Sequence, residues 1–381
     1  MRLHPQRAVT HYGIAPEEPH GPATMSTLNP PNPLNPPTLQ SFLAGRWQGA
    51  APAQLLKSAI NGRPVAATHA ETPDFAEALH HARTVGLLAL LKLDFQQRAA
   101  TLKALAKYLG EHKEQLYAWS AHTGATRSDG WVDIEGGSGT LLAYAGFGSN
   151  ELPSGNLVHE GPVLQLSKKG GFAGTHILVP RRGVALHINA FSFPVWGLLE
   201  KFAPSFLAGM PCIAKPATAT SYLTEACVRL MLQSGLLPEG ALQLVIGSTG
   251  DLLGRLEESD VVTFTGSADT ALQLRTHPNI VRRSVPFNAE ADSLNCAILG
   301  PDAVPGSEEF DLLRQGSGAR DDGESRSEVH RHPPRHRAAP ASASRGRCPE
   351  AAPGWRGGGR PGRGRREYGR ARFTRAAVRR G

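Results

Sequence analysis

Gly183-Val184-Ala185-Leu186-His187-Ile188-Asn189-Ala190, followed at once by Phe191-Ser192-Phe193-Pro194, decides the fold. The first eight residues form a short apolar run bounded by turn residues, which reads as a buried strand. Pro194 then falls in the first turn of a helix predicted over Phe193–Leu207, where its missing N–H costs nothing. His187, inside the apolar run, reads as a satisfied core histidine. The alternation continues downstream: Cys212–Lys215 reads as a strand, Ser221–Ser234 as a helix that Gly235 stops, and Ala241–Ile246 as a strand. Asp251–Leu256 reads as a short helix, Val261–Thr265 as a strand, Ala268–Arg275 as a helix and Val285–Phe287 as a strand. Strands alternating with helices predict an α/β fold, a Rossmann-like parallel sheet with helices on both faces. Such sheets bind ligands at the carboxyl ends of their strands.

Upstream, Gln96–Leu109 places Leu102, Leu105, Ala106 and Leu109 on one helical face. Leu157-Val158 and the glycine-rich stretch Gly161–Gly174 read as a hairpin or arm. Residues 1–38 are rich in Pro, Asn and His, including Asn29-Pro30-Pro31-Asn32-Pro33, and cannot bury enough apolar surface to order themselves. They are expected to be a disordered extension, with Met25 an alternative start. The folded part is expected over 39–313, and 314–381 is expected to be a disordered tail.

Charge separates the tail from the body. From Arg314 onward there are 18 Arg, no Lys and 6 acidic residues, so that stretch carries +12; the chain carries +8 in all, which leaves −4 on the body. The four cysteines, Cys212, Cys227, Cys296 and Cys348, follow neither a metal spacing nor a disulfide framework, which fits a reduced, cytoplasmic compartment. No apolar run approaches the roughly 18 residues of a membrane helix, and the first residues hold no apolar signal core.

Four short strings stand on the expected elements in a fixed order: Phe191-Ser192-Phe193-Pro194, Lys215-Pro216-Ala217-Thr218, Phe264-Thr265-Gly266-Ser267 and Asn288-Ala289-Glu290-Ala291-Asp292. In order and spacing they resemble the aldehyde dehydrogenase superfamily. Trp131-Val132-Asp133-Ile134-Glu135-Gly136-Gly137 and Glu290-Ala291-Asp292-Ser293-Leu294-Asn295 are similar to one branch of it, the coenzyme-A-linked semialdehyde dehydrogenases of phenylacetate and benzoate breakdown. The resemblance covers roughly Leu39–Leu313. It implies NAD(P)-dependent oxidation of an acyl-CoA semialdehyde to the acid, and a homo-oligomer.

The resemblance also assigns roles. Lys215, at a strand end, would meet ribose hydroxyls and a phosphate; taken alone it also reads as a solvated strand-end lysine. Thr218 stands where NAD-preferring relatives carry Glu, and losing that carboxylate favours NADP while leaving NAD possible. Gly266-Ser267 opens a helix whose N–H groups could hold the pyrophosphate, or is an ordinary strand-to-helix turn. Glu290 would be the general base that activates the hydrolytic water, or an exposed loop carboxylate. Asp292 makes that face acidic and is given no role. Ser192 stands at the family's oxyanion Asn position, where losing one donor typically costs roughly 10²–10³ in rate. The nucleophilic cysteine that should follow Glu290 is absent. Cys296 is six residues past Glu290 in an apolar run and reads as a core thiol, and Cys348 lacks family context.

Residues 314–381 have no Leu, Ile, Met or Lys and are dominated by residues with GC-rich codons. Back-translating Glu324–Ala339 with chosen synonymous codons, which leaves the middle base of most shifted codons free, and reading one base later gives Lys-Ala-Gly-Gln-Lys-Cys-Thr-Ala-Ile-Arg-Arg-Ala-Ile-Val-Pro, which holds the family's cysteine string. A one-base insertion near codon 313, giving a truncated and inactive chain, is therefore expected. The alternative is a nucleic-acid-binding tail, since Arg356-Gly357-Gly358-Gly359-Arg360 resembles segments that bind single strands. Only Trp355, Tyr368 and Phe373 are aromatic there, too sparse for base stacking, which leaves non-specific polyanion binding.

Overall fold

A computed structural model describes residues 34–292, 300 and 302–313. Cys296, Cys348, residues 1–33 and everything after Leu313 lie outside the described residues. Pro37 and Thr38 already bridge to Ala67, and Leu39 is buried.

The amino-terminal strands are β1 (Ser41–Leu43), β2 (Arg46–Gln48), β3 (Pro52–Lys57) and β4 (Pro64–His69). Helical segments follow. α1 (Phe75–His81) runs through a π turn at Ala82–Gly86 into α2 (Leu87–Leu91). α3 (Phe95–Glu111) starts at a capping box in which Asp94 and Gln97 satisfy each other's backbone N–H, and it buries Leu102, Leu105, Ala106 and Leu109 as the periodicity predicts. Next come α4 (Lys113–Ser120), α5 (Arg127–Trp131), a second π turn at Val132–Gly136 and α6 (Gly137–Glu151). The glycine-rich arm is an antiparallel hairpin of β5 (Val158–Gln165) and β6 (Ala173–Leu178).

The α/β part then unfolds as β7 (Ala185–Ile188), α7 (Pro194–Leu207), β8 (Cys212–Lys215), α8 (Ser221–Gln233), β9 (Leu242–Leu244), β10 (Val261–Gly266), α9 (Ala268–Arg275), α10 (Pro278–Arg283) and β11 (Phe287–Ala291). The sheet order is β11-β10-β7-β8-β9-β1-β2. The first five strands are parallel, as expected, but β1 joins β9 antiparallel and makes the sheet mixed. β1 and β2 span three residues each, too few for a hydrophobic period to show. The last strand was expected at Val285–Phe287 and instead runs Phe287–Ala291. Ser284 ends α10 in a left-handed turn, Val285 is tied back to Ile280, and Pro286 has no N–H to give a ladder.

Both sheet faces are covered. Ala185, Cys212, Ala214 and Leu244 pack toward the cluster holding α3, α6, α7 and α8. Val184, Leu186, Ile213 and Val262 point the other way, toward α1 and α10. Adjacent residues of β7 thus face opposite layers, which is why its sequence is apolar throughout. His187 is buried as expected. Its Nε2 meets Ser205 Oγ at 3.0 Å, its Nδ1 has no partner among the described residues, and burial drives its pKa down to about 3. It is a neutral core residue.

Candidate functional site

The named residues collect at one end of the sheet because parallel strands end together. Ile188 pairs with Lys215 across β7 and β8, Phe264 pairs with Ile188 across β10 and β7, and Thr265 pairs with Glu290 across β10 and β11. Ser192, Lys215, Gly266, Ser267 and Glu290 therefore lie at or just past the carboxyl ends of four adjacent strands, where open α/β sheets place ligands.

Lys215 is half-buried, and its Nζ donates to the Pro216 carbonyl at 2.5 Å. Burial disfavours its ammonium and lowers its pKa from 10.5 to about 8. Thr218 opens a single 3₁₀ turn, Thr218–Thr220, ahead of α8. No carboxylate stands at that position to repel an anion.

Gly266 has a steric reason: a Cβ there would come within 2.6 Å of the Phe264 ring. Ser267 caps α9, accepting from the Thr270 N–H at 3.3 Å. The Ala268 N–H, next in line, goes to Asp292 Oδ1 at 3.1 Å. Asp292, left without a role by its sequence, thus caps the helix that Gly266-Ser267 opens, with its own backbone in a left-handed conformation at φ 56°. An anion arriving at this helix start would displace a carboxylate already there. Glu290 is exposed on the edge strand, and Thr265 Oγ1 donates to its Oε2 at 3.5 Å.

Ser192 sits half-buried between β7 and α7. The next residue, Phe193, takes φ 51° and ψ 59°, a left-handed conformation uncommon for a bulky side chain. Thr220 Oγ1 donates to the Phe191 carbonyl at 2.9 Å and Thr224 Oγ1 to the Pro194 carbonyl at 3.3 Å, so α8 holds this loop from below. Asn189 is buried, with both amide atoms unpartnered among the described residues. The sequence reading passed over Asp133, Asn189, Thr220 and Thr224. The one signal in the sequence was the place of Asp133 in the string Trp131–Gly137. No cluster of His, Cys, Asp or Glu among the described residues could hold a metal ion.

Residues 54–304 match the model of the aldehyde dehydrogenase family. The chain is 45% identical over 276 residues to 3,4-dehydroadipyl-CoA semialdehyde dehydrogenase of Aromatoleum evansii, covering 72% of this chain and 53% of that one. It is 29% identical over 243 residues to N-succinylglutamate 5-semialdehyde dehydrogenase of Serratia proteamaculans (strain 568), covering 61% and 46%. The fold matches betaine aldehyde dehydrogenase of Staphylococcus aureus in complex with NAD+, with a TM-score of 0.57 at 20% identity over 66% of this chain and 49% of that one. An aldehyde dehydrogenase of Brucella melitensis biovar abortus 2308 also gives 0.57, at 18% identity over 66% and 51%. The chain spans about half the length of these relatives. No helix among the described residues is long and apolar enough to cross a membrane.

Proposed function

The chain belongs to the aldehyde dehydrogenase family, and from that premise we propose that its folded part is the nucleotide-binding portion of a coenzyme-A-linked semialdehyde dehydrogenase of aromatic breakdown, one that binds NADP and does not itself turn over. One observation carries this reading: Ser192, Lys215, Gly266-Ser267 and Glu290 meet at adjacent strand ends. The residues fit a dinucleotide. Lys215 supplies a cation at a strand end, and Thr218 leaves room and charge for a 2′-phosphate. The start of α9 accepts a phosphate if Asp292 yields Ala268.

In the family reaction a thiolate adds to the aldehyde and water hydrolyses the resulting thioester; a nucleotide held at the strand ends would supply the hydride acceptor between those two steps. In this chain Ser192 would give its hydroxyl to the developing oxyanion, with a shorter reach than an amide. Glu290, exposed at the edge of the sheet, would take the proton of the attacking water. The nucleophile is what the chain lacks. A back-translation of Glu324–Ala339 with chosen synonymous codons gives Lys-Cys-Thr-Ala-Ile-Arg-Arg one base out of frame, and a one-base insertion near codon 313 would remove the acyl-transfer step and leave Glu290 without a thioester to hydrolyse.

Two measurements test this. Calorimetry on the chain should show NADP binding more tightly than NAD; equal or tighter NAD binding would refute the role of Thr218. The chain should form no NADPH with an acyl-CoA semialdehyde, whereas deleting one base near codon 313 should bring activity back. Ser192→Asn in that corrected chain should raise the rate further, by up to roughly 10²–10³. Equal activity in the original and corrected chains would refute the frameshift account.

A further inference from the structure

The string Trp131–Gly137 lies far from the strand ends in sequence, yet its π turn docks on the start of α7. Asp133 is 3% exposed. Its Oδ1 accepts the Val195 N–H at 2.9 Å and the Trp196 N–H at 2.7 Å. These are two of the N–H groups that any helix start leaves without an internal partner. The N-cap residue Phe193 satisfies none of them with its side chain, so the cap comes from 60 residues upstream.

Two glycines make the approach possible. A Cβ on Gly136 would stand 2.4 Å from the Trp196 ring, and one on Gly137 would stand 3.0 Å from Trp196 Cα. Around Asp133, Val195 and Trp196 belong to α7, and Cys227 of α8 lies within electrostatic reach. Glu135 turns away to Lys113 and Tyr117, each at 3.0 Å.

We infer that Asp133 is a positioning residue: its carboxylate clamps the first turn of α7 and so fixes the strained Ser192-Phe193 loop beside the ends of β8 and β10. Thr220 and Thr224 hold the carbonyls of that loop, and Asp133 holds the N–H groups that follow it. The loop is fastened on both sides, which a left-handed Phe193 requires. The catalytic consequence of the clamp rests on the reading of Ser192 as the oxyanion-position residue; the clamp itself does not.

Amide hydrogen exchange on the full chain tests the clamp without any need for turnover. Asp133→Ala should speed exchange of residues 191–198 by about tenfold or more while β8 and β9 keep their protection. Asp133→Asn keeps an acceptor oxygen in the same volume but loses the charge, and should speed the same segment by about two- to fivefold. The Asn variant decides the matter if the Ala variant does not fold. Unchanged exchange at 191–198 in the variants, or faster exchange spread evenly over the core, would overturn the inference. In the frame-corrected chain, Asp133→Ala should lower kcat per folded, active-site-titrated enzyme about tenfold while leaving KM for NADP within about twofold; the titration removes the fall in apparent kcat that a smaller folded fraction would cause. An unaltered kcat in an active corrected enzyme overturns the catalytic part. A corrected chain with no activity overturns the functional reading instead and leaves the exchange result standing.

Discussion

Lys215→Met should stabilise the protein at neutral pH while abolishing its nucleotide binding. The folded chain holds the Lys215 ammonium half-buried with no carboxylate partner among the described residues, and burial lowers its pKa from 10.5 to about 8. Between those values the unfolded chain keeps a proton that the folded chain has released. Stability therefore rises with pH from about 8 to 10.5, and below 8 the full cost of the charge is present. At about 1.4 kcal/mol per tenfold change in proton affinity, that cost is on the order of 3 kcal/mol. The bond from Nζ to the Pro216 carbonyl, lost in the variant, offsets about 1 kcal/mol. Methionine matches the length of the lysine stem, so little cavity is left. The net gain should be about 1–2 kcal/mol at pH 7, read as a higher urea midpoint with an unchanged slope. The same measurement at pH 10 should show the gap nearly closed. Calorimetry at pH 7 should show NADP binding lost in the variant, and in the parent binding should weaken as pH rises above 8. A variant less stable than the parent at pH 7, or a gap that does not depend on pH, would refute the view of Lys215 as a charge held at a cost for a ligand.

Three further outcomes are expected. Burial raises the Asp133 carboxyl from 3.8 to about 7, against the two amides that lower it; the folded chain then binds the extra proton, so stability should fall as pH climbs from about 4 to 7. Asp133→Asn should flatten that slope in urea unfolding followed across the range. Gly136→Ala puts a methyl against the Trp196 ring and should cost about 1–3 kcal/mol by denaturant unfolding, together with an altered Trp196 emission. Arg98 is fully buried, donating to the carbonyls of Leu207, Leu90 and Leu93, which end or follow helices. Arg98→Met takes the guanidinium from the Leu207 and Leu93 carbonyls, while Leu90 keeps the Leu93 N–H, and should cost about 3 kcal/mol; a loss under 1 kcal/mol would show that those carbonyls find other partners.

The sequence by itself determined the alternation of β7 through β10 with their helices, because a strand buried on both faces and an amphipathic helix each leave a local pattern. It also determined the residue types at the strand ends, since Lys215 and Gly266 close their strands and Glu290 is next to last in its own. Tertiary structure decided what no local pattern encodes. β1 becomes a sheet member by pairing with β9, and β2 by pairing with β1. The last strand starts at Phe287 because Ser284 is left-handed and Pro286, whose carbonyl accepts from Val262, has no N–H to give. Asp292 acquires a role only where β11 brings it to the start of α9. Asp133 is the clearest case. In sequence Asp133 is only one member of the Trp131–Gly137 string, between Val132 and Ile134. Only the docking of that turn on α7, over Gly136 and Gly137, makes its carboxylate a helix cap, because a helix start needs acceptors and takes them from whatever the fold brings near.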